Sequence, residues 1–209
     1  MRNILIGIIA RDEIINNNLV QIITKNNLKH IHNKCNYIGI LNYDNDFIDT
    51  KILDICDGII FQGGSDIYPY HFQILDYCLN NNIPVLGICM GHQIIGLSSI
   101  GSNSDKDLIK VEGHNDKKKT HPIHTTKNSF LNKALGDTIL VNTRHEYALK
   151  EVLLPFKVTA KSTDNVIEGI EYIDNNHFVI GVQFHPEDLD NTENLYNIFI
   201  KEIIKRKKN

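Results

Sequence analysis

The chain has 209 residues, 42% of them hydrophobic, which is ample for the core of a single α/β domain over residues 1–209. Its 22 basic and 25 acidic residues leave a net charge of -3, too near neutral to favour nucleic acid or an anionic membrane as a partner. No apolar run reaches the roughly 18 residues that span a bilayer, the first residues are too short and wrongly followed for a signal peptide, and Cys35, Cys56, Cys78 and Cys89 show no paired spacing, so a cytoplasmic chain without a disulfide frame is expected.

Residues 4–9 are almost wholly branched, as in a strand covered on both faces. After the polar Asn16-Asn17-Asn18, the spacing of Leu19, Ile22 and Ile23 predicts a helical face, and residues 37–41 make a second strand. Ile48, Ile52 and Ile55 mark a short helix that stops at Asp57-Gly58, and Ile59-Ile60-Phe61 is a third strand running into Gly63-Gly64. Phe72, Leu75 and Leu79 stripe the next helix, which ends at Asn80-Asn81-Asn82. This alternation predicts a parallel sheet with helices on both faces, a three-layer flavodoxin-like arrangement whose ligands bind at the carboxyl ends of strands.

The most informative stretch comes next. Residues 83–88 read as a buried strand, and Met90, Ile94 and Leu97 follow at helical spacing. Cys89 stands between them, with Gly87 and Gly91 two residues to either side. Those glycines let the backbone turn where a Cβ would collide, and they hold the thiol at the tip of the turn. A thiol at a helix N-terminus also lies near free N–H groups and the positive end of the helix dipole, which favours thiolate.

Beyond residue 108 the strand signals (109–111, 138–141, 156–160, 166–173 and 178–184) follow one another with little helix, which predicts a small antiparallel section. Asp174-Asn175-Asn176 suits a hairpin turn before the last strand. A final helix opens with Asp190 three residues before Glu193, a capping pair, and buries Tyr196, Phe199, Ile200 and Ile203. The last strand delivers His185-Pro186-Glu187, an imidazole with a carboxylate two residues on. With the Cys89 turn and Gly63-Gly64, the chain holds a nucleophile, a base, an orienting acid and backbone donors, the set that acyl transfer requires.

Gly87-Ile88-Cys89-Met90-Gly91-His92-Gln93 together with Gly181-Val182-Gln183-Phe184-His185-Pro186-Glu187 resembles the class I glutamine amidotransferase superfamily, whose members use a Cys, His, Glu triad. Gly63-Gly64-Ser65-Asp66-Ile67-Tyr68-Pro69 is similar to the signature of its γ-glutamyl-γ-aminobutyrate hydrolase branch, peptidase family C26. The segment from Val141 to Leu149 and His121-Pro122-Ile123-His124 are similar to further segments of that branch. The likeness runs over nearly the whole chain. It departs after Pro69, where the branch carries a longer insertion, and after Gln93, where Ser98-Ser99-Ile100-Gly101 replaces a Gly-Gly. His92 is closer to the amidotransferase form of the turn.

The resemblance implies catalysis by Cys89, His185 and Glu187, an oxyanion hole from the backbone N–H groups of Gly64 and Met90, and a substrate contact from Gln93; Gly63 and His145, at strand ends, are further candidate substrate contacts, and Asp66 is expected to brace the glycine turn, since Asp bonds nearby backbone N–H groups. The reaction implied is cleavage of a γ-glutamyl amide through a glutamyl thioester, with a small γ-glutamyl compound or glutamine as substrate and no cofactor. Two other functions compete: a glutaminase subunit passing ammonia to a separate synthetase, and a regulatory module without chemistry. No metal is expected, since His30, His32 and Cys35 fall in a polar Asn-rich segment and His114, His121 and His124 have no carboxylate or Cys at ligand spacing. Oligomeric state, a homodimer among the options, is not set by these residues.

Overall fold

The structure, a computed structural model, describes residues 4–174 and 176–207. The first half runs β1 (Leu5–Ile9), β2 (Arg11–Ile15), β3 (Asn18–Ile22), β4 (Asn36–Ile40), β5 (Gly58–Phe61), α1 (Pro69–Asn80), β6 (Val85–Ile88) and α2 (Met90–Ser99). The second half runs β7 (Leu108–Lys110), β8 (Asn115–Thr125), α3 (Phe130–Leu135), β9 (Thr138–Arg144), β10 (Tyr147–Leu149), β11 (Phe156–Ser162), β12 (Ile167–Tyr172), β13 (Val179–Val182) and α4 (Glu193–Lys207). Nine of these strands form one sheet in the order β4-β1-β5-β6-β13-β12-β11-β8-β9. From β4 to β13 neighbours are parallel, and from β13 to β9 they are antiparallel. The antiparallel section expected from the second half thus continues the same sheet.

The helices lie on both faces because the strands are apolar on both. Ile6, Ile8, Ile60, Leu86, Ile88, Ile180 and Val182 pack with α3 and α4 through Leu131, Leu195, Tyr196, Phe199, Ile200 and Ile203. On the opposite face Ile9, Ile59, Phe61, Val85 and Val179 pack with α1 and α2 through Ile74, Leu75, Cys78, Ile94, Ile95 and Leu97. Two glycines bring α2 unusually close to the sheet. A Cβ on Gly87 would lie 2.6 Å from the backbone of Gly91, and one on Gly181 would lie 3.0 Å from His92 Nδ1. Close seating of α2 fixes where its N-terminus, and therefore Cys89, stands above the strand ends.

Several sequence expectations are corrected. The helix expected around Leu19, Ile22 and Ile23 is instead the β2–β3 hairpin, in which Ile14 pairs with Leu19 and Ile15 with Asn18. Asn16 and Asn17 both adopt positive φ (50° and 63°), as a two-residue hairpin turn demands and as Asn tolerates. That reversal turns the apolar residues outward, leaving Ile14 and Leu19 exposed. The helix marked by Ile48, Ile52 and Ile55 is a 3₁₀ segment, Thr50–Ile55, N-capped by the Asp49 side chain. Strand β8 and helix α3 have no recognisable signal in the sequence: β8 is mostly polar, with exposed Lys117, Lys118 and Lys119 at a register shift between Asp116 and Thr120. In α4 the expected interior residues are buried, but the capping pair is absent. Asp190 opens a 3₁₀ turn, and its carboxylate accepts from Lys29 Nζ at 2.6 Å. β12 and β13 are antiparallel as the expected turn requires, with Asn175 of that turn lying outside the described residues. No described helix is long and apolar enough to cross a membrane.

Candidate active site

The carboxyl ends of three adjacent parallel strands, β5, β6 and β13, carry Gly63-Gly64, Cys89 and His185 to one place. Cys89 is the N-cap of α2 and sits at φ 51°, ψ -100°, a conformation that costs a non-glycine residue of order 1–3 kcal/mol. The neighbouring glycines make this turn sterically possible. A Cβ on Gly91 would meet the Phe61 carbonyl oxygen at 2.5 Å, as one on Gly87 would meet Gly91. The strained turn projects the thiol beyond the end of β6, and the first N–H groups of α2, beginning with Met90, have no intrahelical acceptor.

β13 ends at Val182, so His185 falls just past the sheet, where it caps a 3₁₀ segment whose first turn holds Glu187. The imidazole Nδ1 of His185 lies 2.8 Å from Glu187 Oε1, and Glu187 is buried. The ring and Cys89 both crowd Gly63: a Cβ built there would lie 2.6 Å from His185 Cε1 and 3.4 Å from Cys89 Cβ. Burial acts to lower the His185 pKa, but the charge and hydrogen bond of Cys89, followed by those of Glu187, outweigh it and raise the value to about 10. The Cys89 thiol, the His185 imidazole and the Glu187 carboxylate thus lie together at the strand ends.

Contacts without a sequence signal hold this set in position. The Asn142 amide donates from Nδ2 to the His185 carbonyl and accepts from the His185 N–H at Oδ1, both at 2.8 Å, which fixes the backbone of the imidazole residue. Arg144 pairs with Asp188 beside it. Gln183, wholly buried, donates from Nε2 to Cys89 Sγ at 3.6 Å. Arg11, from the hairpin, donates from Nη1 to the Gly63 carbonyl at 2.9 Å. In a trans peptide that carbonyl and the Gly64 N–H point oppositely, so Arg11 turns the Gly64 N–H away from itself. Asp66, expected to brace this turn, makes no hydrogen bond to it among the described residues.

A cleft of about 480 Å³ opens over Cys89 and is lined by Gly64, Gln93, Lys106, Arg144, His145 and Glu146, among others. Of the expected substrate contacts, Gln93 and His145 reach the cleft, while Gly63 lies behind it, against His185 and Cys89. Gln93 does not face solvent: its Nε2 donates to the Tyr147 carbonyl at 2.8 Å and to Gln183 Oε1 at 3.3 Å. His145 is turned inward, with Nδ1 3.2 Å from the Tyr147 carbonyl and Nε2 3.5 Å from Glu168 Oε1. α1 begins at Pro69 itself. Beyond Gln93 the cleft wall includes Asp105, Lys106 and Leu108. His92 is buried against Gly181, which pushes its pKa down to about 4, and does not line the cleft, so its identity carries no information about substrate.

His30, His32 and Cys35 form no candidate metal group among the described residues. His114 and His121 do meet, together with His145 and Glu168, whereas His124 lies apart, with its Nδ1 3.1 Å from Thr138 Oγ1.

The family model described as Glutamine amidotransferase class-I matches residues 16–203. Protein NtpR of Enterococcus hirae is 32% identical over 187 residues, covering 73% of this chain and 77% of that protein. A GMP synthase [glutamine-hydrolyzing] subunit of Methanosphaera stadtmanae is 31% identical over 133 residues, covering 62% of this chain and 64% of that one. Among solved structures, the glutaminase domain of Trypanosoma brucei CTPS, with acivicin bound, superposes with a TM-score of 0.68 at 16% identity, covering 97% of this chain and 94% of that one.

Proposed function

The chain belongs to the class-I glutamine amidotransferase family, and from that premise we propose that it is a cysteine hydrolase that cleaves the γ-glutamyl amide bond of a small γ-glutamyl compound. The observation that supports this reading is the placing of Cys89 and His185 side by side against Gly63, with Glu187 Oε1 2.8 Å from His185 Nδ1 and Cys89 lining a cleft.

The Cys89 thiolate attacks the δ-carbonyl carbon, and the carbonyl electron pair moves to oxygen. Backbone N–H groups of Met90 and Gly64 receive that oxyanion; in comparable sites one such donor contributes about 2.7–4 kcal/mol. As the tetrahedral species collapses, the C–N bond breaks and the His185 imidazolium gives its proton to the departing amine. Water, deprotonated by His185, then hydrolyses the glutamyl thioester, releasing glutamate and restoring the thiol. Glu187 accepts from Nδ1 throughout, which fixes the tautomer and steadies the imidazolium. Arg144, Lys106 and Glu146 at the cleft supply charges of both signs, as the ammonium and carboxylate of a glutamyl group require.

A second reading is a glutaminase subunit that delivers ammonia to a separate synthetase. The likeness to a GMP synthase component favours it. One assay separates the two: the purified chain with glutamine and with a panel of γ-glutamyl amines. Release of free amine from the panel supports the hydrolase. Ammonia from glutamine alone, rising when a synthetase is added, supports the second reading. Full turnover by Cys89→Ala would overturn both.

A further inference from the structure

Away from the thiol, Glu168 of β12 is wholly buried, and neither of its carboxylate oxygens has a hydrogen-bond partner. Three imidazoles face one of those oxygens. His114 Nδ1 lies 3.4 Å from Glu168 Oε1, and His121 Nε2 and His145 Nε2 each lie 3.5 Å from it. All three separations are too long for a well-formed N–H···O bond. A buried carboxylate left in this state costs several kcal/mol unless something compensates its charge.

The far side of two of these rings determines what that can be. His145 Nδ1 lies 3.2 Å from the Tyr147 carbonyl, which can only accept, so this nitrogen carries the proton. His114 Nε2 lies 3.0 Å from Asp164 Oδ2, again an acceptor. With those partners taking the far N–H of each ring, His145 Nε2 and His114 Nδ1 turn to Glu168 Oε1, and only a proton or a metal ion between nitrogen and oxygen makes that approach favourable. Lone pair facing lone pair is repulsive, and a cation among them makes it attractive. A ring N–H bound to a carboxylate or backbone carbonyl, with the other nitrogen free, is also how metal-bound histidines are oriented.

We propose that His114, His121, His145 and Glu168 form a structural site for one divalent cation of the zinc class. Three imidazoles and one carboxylate are a ligand set that suits zinc. Four tetrahedral donors around an ion with bonds of about 2.0–2.1 Å lie about 3.3–3.4 Å apart, close to the three separations measured from Glu168 Oε1. The four donor atoms lie within 4.8 Å of one another, so the wider imidazole pairs close by side-chain rotation. All four positions come from the protein, so the ion is a staple and leaves no open position for a reacting water. It joins the segment before β8, β8 itself, the end of β9 and β12, and so anchors the loop from Arg144 to Tyr147 that lines the cleft. The inference does not depend on the reaction proposed above.

The test uses the full chain, stripped with chelator and then dialysed against Zn(II) or Co(II). Elemental analysis should find about one zinc per chain, Co(II) should give the intense visible bands of a tetrahedral complex, and zinc should raise the Tm. Cys89→Ser should keep the ion, while Glu168→Gln should weaken binding at least about 100-fold. If Glu168→Gln does not fold, His121→Ala, at the most exposed of the four positions, should show the same loss. Absence of stoichiometric zinc from the folded chain overturns the site and leaves a proton-sharing cluster. Retention in Glu168→Gln or His121→Ala, with loss in Cys89→Ser, assigns the metal to the thiol and likewise overturns it.

Discussion

Gly63 backs directly onto the imidazole of His185: a Cβ built on it would lie 2.6 Å from ring Cε1 and 3.4 Å from Cys89 Cβ. The ring cannot give way easily, because Glu187 holds Nδ1 and Asn142 holds the residue's backbone. The absence of a side chain at position 63 therefore leaves room for the ring against the thiol.

Gly63→Ala should accordingly separate ring from sulfur without unfolding the chain. Turnover of a γ-glutamyl amide should fall at least about 100-fold while the Tm stays within a few degrees of wild type. Iodoacetamide should alkylate Cys89 more slowly, because the imidazole that would take the thiol's proton is displaced from it. Wild-type turnover in this variant would mean that the ring position in the structure is not the working one.

Glu187→Gln keeps the shape of the orienting group but removes its charge. The amide can present its N–H₂ to Nδ1 and stabilise the wrong tautomer, so kcat should fall by about 10²–10⁴. The thiol should remain reactive. The pKa of His185, measured by NMR, should drop from its raised value, since Glu187 is one of the groups that lift it. An unchanged kcat would remove Glu187 from the scheme.

Much of this arrangement is local in sequence, and that part is legible there. The strand-turn-helix around Cys89 and the strand end before His185-Pro186-Glu187 each lie within a few residues, and both strands are apolar enough to be placed at the centre of a sheet. What escapes depends on pairings between distant segments. The charged strand β2 gives no sign that Arg11 reaches Gly63. The polar composition of β8 conceals its pairing with β9 and β11. The carboxylate missing at ligand spacing from His114 and His121 is Glu168, which the antiparallel turn-back of β12 places under those rings. The Leu19, Ile22 and Ile23 spacing misleads because apolar periodicity alone does not register that Asn16-Asn17 can reverse the chain.

Arg11 gives a test of the oxyanion donor proposed at Gly64 that leaves the reacting groups intact. Its bond to the Gly63 carbonyl fixes the plane of the 63–64 peptide, and with it the direction of the Gly64 N–H. Arg11→Ala frees that peptide to rotate, so kcat should fall by about 10–100-fold, short of the 10²–10³ lost when a donor is removed outright. KM should change little if the bond acts on the transition state rather than on substrate binding. Arg11→Lys, which can still place a donor near the carbonyl, should recover part of the loss. A change confined to KM would show that Arg11 touches substrate and does not orient the peptide.

The acid limit of stability should depend on His71 at the start of α1. Its Nδ1 accepts the Tyr68 N–H at 3.0 Å, the ring is buried, and Nε2 has no partner. Burial lowers its pKa to about 4 against the opposing pull of Asp12. An unfolded histidine titrates near about 6.5, so the unfolded chain takes up this proton first as pH falls. The stabilisation is complete above about pH 6.5 and is lost progressively towards pH 4, at up to about 1.4 kcal/mol per pH unit and of order 3 kcal/mol in all. His92, also lowered to about 4 by burial, adds to the same limb. Urea unfolding at pH 7, 6 and 5 should show this slope. In His71→Gln the side-chain oxygen can still accept the Tyr68 N–H but does not titrate, so the slope should shrink by up to one proton. An identical slope in the two proteins would mean that His71 does not titrate in that window, and that the acid sensitivity lies in other groups.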